Sequence, residues 1–266
     1  MAQMFVPMRT QARAPILARA AILAGAALFA LAPMARAQAQ TPKIPAAAPD
    51  MAVSKPAKVL HWLDPQAFAP DRVLAPPPAA GSIEQVAEMA EVRALATTTP
   101  PARRAQATAD AADESPDAFN TAAGRNLAAL PATAHLLTLI EGEVEIAADT
   151  AKRHFHRLRP YAVDPALPFC GHDKPGSKGA DRSYPSGHAT FGWSMAWVLA
   201  DLMPDRAPAI FARAADYGYS RQICAAHFPS DIEAGHVLGV LAARVLLADP
   251  RLAAEIAAAR AELAKP

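Results

Sequence analysis

Residues 191–202 constrain this chain more than any other stretch. Phe191, Trp193, Met195, Trp197, Val198, Leu199 and Leu202 leave no polar face for solvent, so a helix here has to be buried. Directly before it stands Pro185-Ser186-Gly187-His188. Ser186 and Gly187 therefore fall at a helix N-terminus, where unpaired backbone N–H groups and the helix dipole favour an anion. Glycine lets the backbone come close to such an anion. Taken alone, a Ser-Gly-His at a helix start is commonly a cap and nothing more.

The rest of the chain agrees with a helical reading. It has 266 residues, 52% of them apolar and only 6% aromatic, with abundant alanine. That supports one sizeable core and helices over sheet. The expected fold is all-α, a single-domain helical bundle over residues 81–266.

Residues 1–37 have the pattern of a signal peptide. Arg9, Arg13 and Arg19 precede an unbroken apolar stretch from Ala20 to Ala32, followed by the small-x-small site Ala35-Arg36-Ala37. The apolar stretch is too short for a membrane span, so the mature chain is expected to be periplasmic or secreted. Residues 38–80, rich in Pro and Ala and ending in Pro76-Pro77-Pro78, are expected to run extended over the surface, with His61 and Trp62 as an anchor.

Four of the 26 basic residues and none of the 25 acids lie in residues 1–37, which leaves 22 cations against 25 carboxylates. A mildly acidic chain without a basic block is a poor binder of nucleic-acid polymer. Any anionic ligand must be held by local charges. The two cysteines, Cys170 and Cys224, form an even pair; in an oxidising compartment a disulfide is expected, with two buried free thiols as the alternative.

Ser82-Ile83-Glu84-Gln85 opens a capped helix whose apolar face is expected to hold Ile83, Val86, Ala87, Ala90 and Leu95. Short helices broken at Pro116 and Gly124 follow. After Pro131 a long helix carries a stripe from Leu136 to Leu158 and is stopped by Pro160. Lys152 and Arg159, seven residues apart, are expected to project from one face of it. Two stacked cations repel each other unless an anion lies between them; alone, the pair reads as a solvated basic patch shared with Arg153 and Arg157.

A further helix, about 206–222, delivers Ser220 and Arg221. Phe228-Pro229 then forces a turn, and Ser230-Asp231-Ile232-Glu233 is expected to cap the helix through Leu247. His227 precedes Asp231 by four residues. A carboxylate there can accept the imidazole Nδ1–H and leave Nε2 bare as a nucleophile. The terminal segment, Leu252 to Lys265, reads as an amphipathic outer helix.

Lys152-x6-Arg159-Pro160, Pro185-Ser186-Gly187-His188 and Ser220-Arg221-x5-His227-x3-Asp231 together resemble the three-part signature of the type 2 phosphatidic acid phosphatase and vanadium haloperoxidase superfamily. Within it, the segment from Leu74 to Ile83, the Ser183-Tyr184 pair and Arg221-Gln222-Ile223-Cys224 are similar to secreted bacterial class A non-specific acid phosphatases. The likeness spans about residues 70–262. It departs at Asp181-Arg182, where the group more often has Asn or Gly, which bears on the rim of the site.

The resemblance implies an all-α bundle with the site between helices, small phosphomonoesters as substrates, and an assembly of identical subunits. It implies that His227 takes the phosphoryl group, that Asp231 orients it, and that His188 protonates the leaving alkoxide. Lys152, Arg159, Arg221, the Ser186 hydroxyl and the Gly187 N–H would stabilise the phosphoryl oxygens, with no metal or cofactor. Vanadate could occupy the pocket as a phosphate mimic, and a vanadium-dependent haloperoxidase is the alternative reading. An inactive phosphate binder and a lipid phosphatase fit less well. No His or Cys spacing resembles a zinc site; His154, His156 and His172-Asp173 read as surface or packing residues, and His236 as at most a supporting one.

Overall fold

The computed structural model describes residues 58–171 and 176–265. The expected signal peptide, most of the Pro/Ala-rich segment and His172-Asp173 lie outside the described residues. Among the described residues the helices run α1 (Pro70–Val73), α2 (Ile83–Thr98), α3 (Pro101–Ala112), α4 (Asn120–Ala123), α5 (Pro131–Phe155), α6 (Pro160–Val163), α7 (Gly187–Leu202), α8 (Ala207–Ile223), α9 (Pro229–Leu247) and α10 (Ala253–Leu263), with 3-10 turns between some of them. No strand occurs among the described residues, and the fold is all-α. Proline punctuates it: α1, α3, α5, α6 and α9 each begin at a proline, whose fixed φ suits the first helical position and whose missing N–H would have had no partner there.

The apolar run of the sequence is α7, against which α5, α8 and α9 pack. Phe191, Met195, Val198 and Leu199 are buried in the main core with Leu136, Leu137, Ile140 and Val144 of α5, Ile210, Ala214 and Tyr217 of α8, and Leu238, Ala242 and Leu246 of α9. Trp193 and Trp197, partly buried on α7, pack against the edge of that core beside Phe211.

α9 lies against α7 because glycine leaves room. A Cβ at Gly239 would stand 2.3 Å from the Thr190 carbonyl oxygen, and one at Gly235 would stand 2.7 Å from that of Ser186. Backbone oxygens cannot rotate away as a side-chain end can. Gly239→Ala is therefore expected to destabilise the fold by about 1–3 kcal/mol, as overpacking does. Gly142→Ala, mid-helix on α5 with nothing within 4 Å of the new methyl, is expected to stabilise it by roughly 0.5–1 kcal/mol. Urea midpoints of the two variants test this; equal midpoints would show that the two helices separate at little cost.

Three expectations change here. Residues 58–80 do not merely run over the surface, since Leu63, Phe68 and Leu74 sit in the main core. The anchor at His61 and Trp62 works through backbone: the N–H groups of His61, Trp62 and Leu63 all donate to the buried Glu143 carboxylate of α5, at 2.9, 3.1 and 3.0 Å. On α2 the buried face is Met89 and Val92, packed near Phe228, whereas Ile83 and Val86 are 86% and 61% exposed. An alanine-rich helix has a weak apolar period, so the neighbour it meets decides which face is buried. Its N-cap is as expected, with the Ser82 hydroxyl accepting from Gln85 N–H, but Gln85 reaches back to Gly81 N–H instead of that of Ser82.

Candidate active site

Four chain segments converge at the N-terminus of α7. Ser186 is its N-cap, with extended backbone and a buried hydroxyl that accepts from Ala189 N–H at 3.3 Å. Gly187 follows, and a Cβ there would fall 2.8 Å from the Lys152 amine. Glycine at this position thus makes room for the cation delivered by the last turn of α5. Burial, then the charge of Arg159, lowers the Lys152 pKa to about 8.

Arg159 does not share the α5 helix with Lys152, as the seven-residue spacing suggests. α5 ends at Phe155 because His156 turns left-handed (φ 50°, ψ 41°), and Arg159 takes extended backbone before Pro160, as residues preceding proline do. Leu158, expected in the apolar stripe, is accordingly 49% exposed. The Arg159 guanidinium reaches the site from this loop. It donates to the carbonyls of Gly179 and Ala226, at 2.9 and 3.2 Å, and to Nε2 of His227 at 3.1 Å.

Arg221, in the last turn of α8, is buried, and its Nε and Nη1 have no hydrogen-bond partner among the described residues. Burial and the neighbouring Arg159 lower its pKa to about 10. A buried guanidinium with idle donors is a costly arrangement that an oxyanion relieves. Ser220 beside it is structural, its hydroxyl bonding Asp110 and Arg103.

His227 is buried before α9. Its Nδ1 lies 2.7 Å from the Ser183 carbonyl oxygen, which can only accept, so Nδ1 carries the proton and Nε2 the lone pair. Asp231 does not hold the ring directly: its carboxylate is 3.6 Å from Nδ1. Asp231 instead accepts from the Ser183 hydroxyl at 2.6 Å and the Phe228 N–H at 2.8 Å, fixing the two backbone stretches that position the imidazole. The N-cap of α9 is thus Phe228, with Asp231 as its third residue, two residues earlier than the sequence pattern suggests.

The partner that sequence reading missed is Arg157. Far from being solvated, its side chain is 4% exposed and donates to Asp231 at 2.6 Å, Glu88 at 2.6 Å and the Ser230 hydroxyl at 2.7 Å, while lying over the Phe228 ring. Once α5 is known to stop at Phe155, Arg157 no longer belongs to any exposed helix face.

His188 stacks on Tyr217 and places Nε2 3.3 Å from the Ala111 carbonyl oxygen, so Nε2 carries a proton. Nδ1 is 3.4 Å from the Glu114 carboxylate, a second residue absent from the sequence reading because it precedes a 3-10 turn with no motif around it. The pKa values of both histidines are pushed well below the ordinary range. Burial is the main cause; for His227 the charges of Arg159, Arg221 and Lys152 add to it, and for His188 those of Arg221 and His227.

Cys170 and Cys224 are joined, Cα atoms 4.9 Å apart, tying the loop after α6 to the end of α8 just beyond Arg221. The remaining histidines lie apart. His156 pairs with Asp181 at 3.0 Å, His154 meets the edge of Phe155, and His236 stacks on Trp193 at 3.8 Å. Arg182 is held by Asp149 at 2.6 Å. Among the described residues no three His, Cys, Asp or Glu side chains gather to hold a metal ion, and no helix is long and apolar enough to cross a membrane.

Lys152, Arg159, Arg221, His188 and His227 thus lie close enough for their charges to act on one another at the start of α7, where Ser186 and Gly187 stand, with Asp231 behind His227. Residues 131–253 match the family described as the PAP2 superfamily. The chain is 36% identical over 222 residues to an acid phosphatase of Zymomonas mobilis subsp. mobilis, covering 80% of each chain. It is 32% identical over 213 residues to a non-specific acid phosphatase of Providencia stuartii, covering 77% of this chain and 86% of that one. A shorter match, 34% over 99 residues, reaches 35% of this chain and 40% of a lipid A 1-phosphatase of Rhizobium etli.

Proposed function

The chain belongs to the PAP2 superfamily and is a phosphoric monoester hydrolase of the acid phosphatase kind; from that premise we propose a secreted, metal-independent enzyme that works through a phosphohistidine. The observation that carries this reading is the orientation of His227, whose Nδ1–H is fixed on the Ser183 carbonyl while Nε2 meets Arg159 at 3.1 Å, with the charge of Arg221 acting on the ring. Secretion rests on the pattern of residues 1–37.

An incoming phosphomonoester takes Arg159 away from Nε2, because a dianion outcompetes a neutral imidazole for a guanidinium. Nε2 then attacks phosphorus, the P–O bond to the alcohol breaks, and the alkoxide takes the proton from Nδ1 of His188. Water enters where the alcohol left, gives its proton back to Nδ1 and attacks phosphorus; the P–N bond breaks and its electron pair returns to Nε2. An alcohol in place of that water gives phosphotransfer. Three cationic side chains, the Gly187 N–H and the Ser186 hydroxyl neutralise the equatorial oxygens, the main requirement of phosphoryl transfer.

His188 must arrive protonated, and its depressed pKa sets the sign of the pH dependence. Free enzyme holds that proton only in acid, and the bound phosphate charge raises the pKa enough to use it. Turnover of p-nitrophenyl phosphate is expected to peak below neutrality, to survive chelators, and to fall with rising pH. Inhibition by inorganic phosphate is expected to weaken above about pH 8, where Lys152 loses its proton in the free site. The same sample given bromide, peroxide and vanadate is expected to show no halide oxidation. Bromide oxidation without phosphate release would replace this reading with the haloperoxidase one, which the acid phosphatase relatives disfavour.

A further inference from the structure

A cavity of about 290 Å³ opens over Lys152 and Gly187 and has Glu114, the neighbour of His188, in its wall. Its walls carry four carboxylates, Glu114, Glu141, Glu145 and Asp149, which is an unusual approach to a site for anions. Two of them are already balanced: Glu145 by Lys58 at 2.8 Å and Asp149 by Arg182 at 2.6 Å. Glu141 has no ion pair among the described residues, whereas Glu114 lies 3.4 Å from Nδ1 of His188 and in the field of Lys152 and Arg221.

The carboxylates of Glu114 and Glu141 both hold protons more tightly than usual, through burial first and, for Glu141, the charges of Glu114 and Glu145 next. Two partly enclosed carboxylates that repel each other favour a cation between them. The phosphate end is supplied independently by Lys152, in the wall of the same cavity, and by the idle donors of Arg221. Val144 and Phe191 add apolar wall to the same cavity, suited to the carbon part of a small alcohol.

We propose, resting on the phosphatase reading above, that Glu141 and Glu114 form a leaving-group subsite selecting phosphomonoesters of cationic alcohols, amino-alcohol and quaternary-ammonium phosphates, over those whose leaving group bears further negative charge. The ammonium lies between the carboxylates while the phosphoryl group occupies the clamp. Leaving groups carrying carboxylate or phosphate meet repulsion at the same place.

The test compares kcat/KM at pH 6 for choline phosphate, its uncharged carbon isostere 3,3-dimethylbutyl phosphate, and 3-phosphoglycerate. Choline phosphate is expected to exceed the isostere about fivefold, the scale of two partly solvated charge pairs, and 3-phosphoglycerate to fall below both. Glu141→Gln should bring the first ratio to about twofold, and Glu141→Lys should invert it in favour of 3-phosphoglycerate. A ratio of one in the wild type, or one that Glu141→Lys leaves unchanged, overturns the subsite while leaving the phosphatase intact. Failure to hydrolyse any of the three overturns the phosphatase reading and the subsite with it.

Discussion

Replacing His227 with alanine is expected to lower kcat on p-nitrophenyl phosphate by on the order of 10⁴-fold or more, the scale on which removal of a covalent nucleophile acts, while phosphate binds within about threefold of wild type. The asymmetry follows from the geometry. The clamp is built from Lys152, Arg159, Arg221 and the start of α7, and none of these needs the imidazole to stay in place: Arg159 keeps its bonds to the Gly179 and Ala226 carbonyls when its bond to Nε2 is lost. Phosphate inhibition measured by calorimetry, beside acid-quenched labelling with radioactive substrate, separates the two effects. Wild type should retain label on histidine and the variant none. A variant that hydrolyses substrate but no longer binds phosphate would reverse the role given to His227.

Arg157→Leu is expected to be the most destabilising substitution near the site, by roughly 3–5 kcal/mol, because it leaves the buried Asp231 without its counter-charge. For a body of this size that corresponds to a melting point about 10 °C lower. Leucine matches the carbon stem but supplies none of the donors that hold Asp231, Glu88 and Ser230. Lysine restores one charge but not the fork that serves three partners, and so rescues little.

The sign of the pH dependence is fixed by Asp231. Burial already raises its pKa and Arg157 opposes that, so without Arg157 the folded-state value climbs further above the unfolded one. A raised carboxyl pKa favours the folded state at low pH and loses that advantage as pH rises through the folded value. The defect of Arg157→Leu should therefore be larger at pH 7 than at pH 5. Melting curves at both pH values check it; a drop of only a degree or two at neutral pH would mean that the Asp231 charge is satisfied in another way.

The same two residues mark how far the sequence could be read. Local signals sufficed for α7, whose apolar residues admit no exposed face, for the proline-led start of α5, and for the Ser186 cap. Motif spacing and the family resemblance single out Lys152, Arg159, His188, Arg221 and His227, and the fold brings their charges within reach of one another. Local signals failed where a side chain's meaning depends on what lies opposite. Arg157 reads as surface until α5 is seen to stop at Phe155; Glu114 has no motif around it until His188 is set 3.4 Å away. Ile83 and Val86 share a helical period, yet α2 buries the other side because Phe228 lies there.

Sequence alone determined the helical class and the central buried helix, and it singled out the candidate groups for an anion, because periodicity, capping and motif spacing act within a few residues of chain. Only the tertiary structure decided how those groups are wired: that the Ser183 carbonyl, and not Asp231, sets the His227 tautomer, that Arg157 neutralises Asp231, and that carboxylates line the way in. Those relations span tens of residues. Hydrogen bonds and charge pairs at that separation are chosen by packing, where burial makes each unsatisfied group costly enough to dictate its partner.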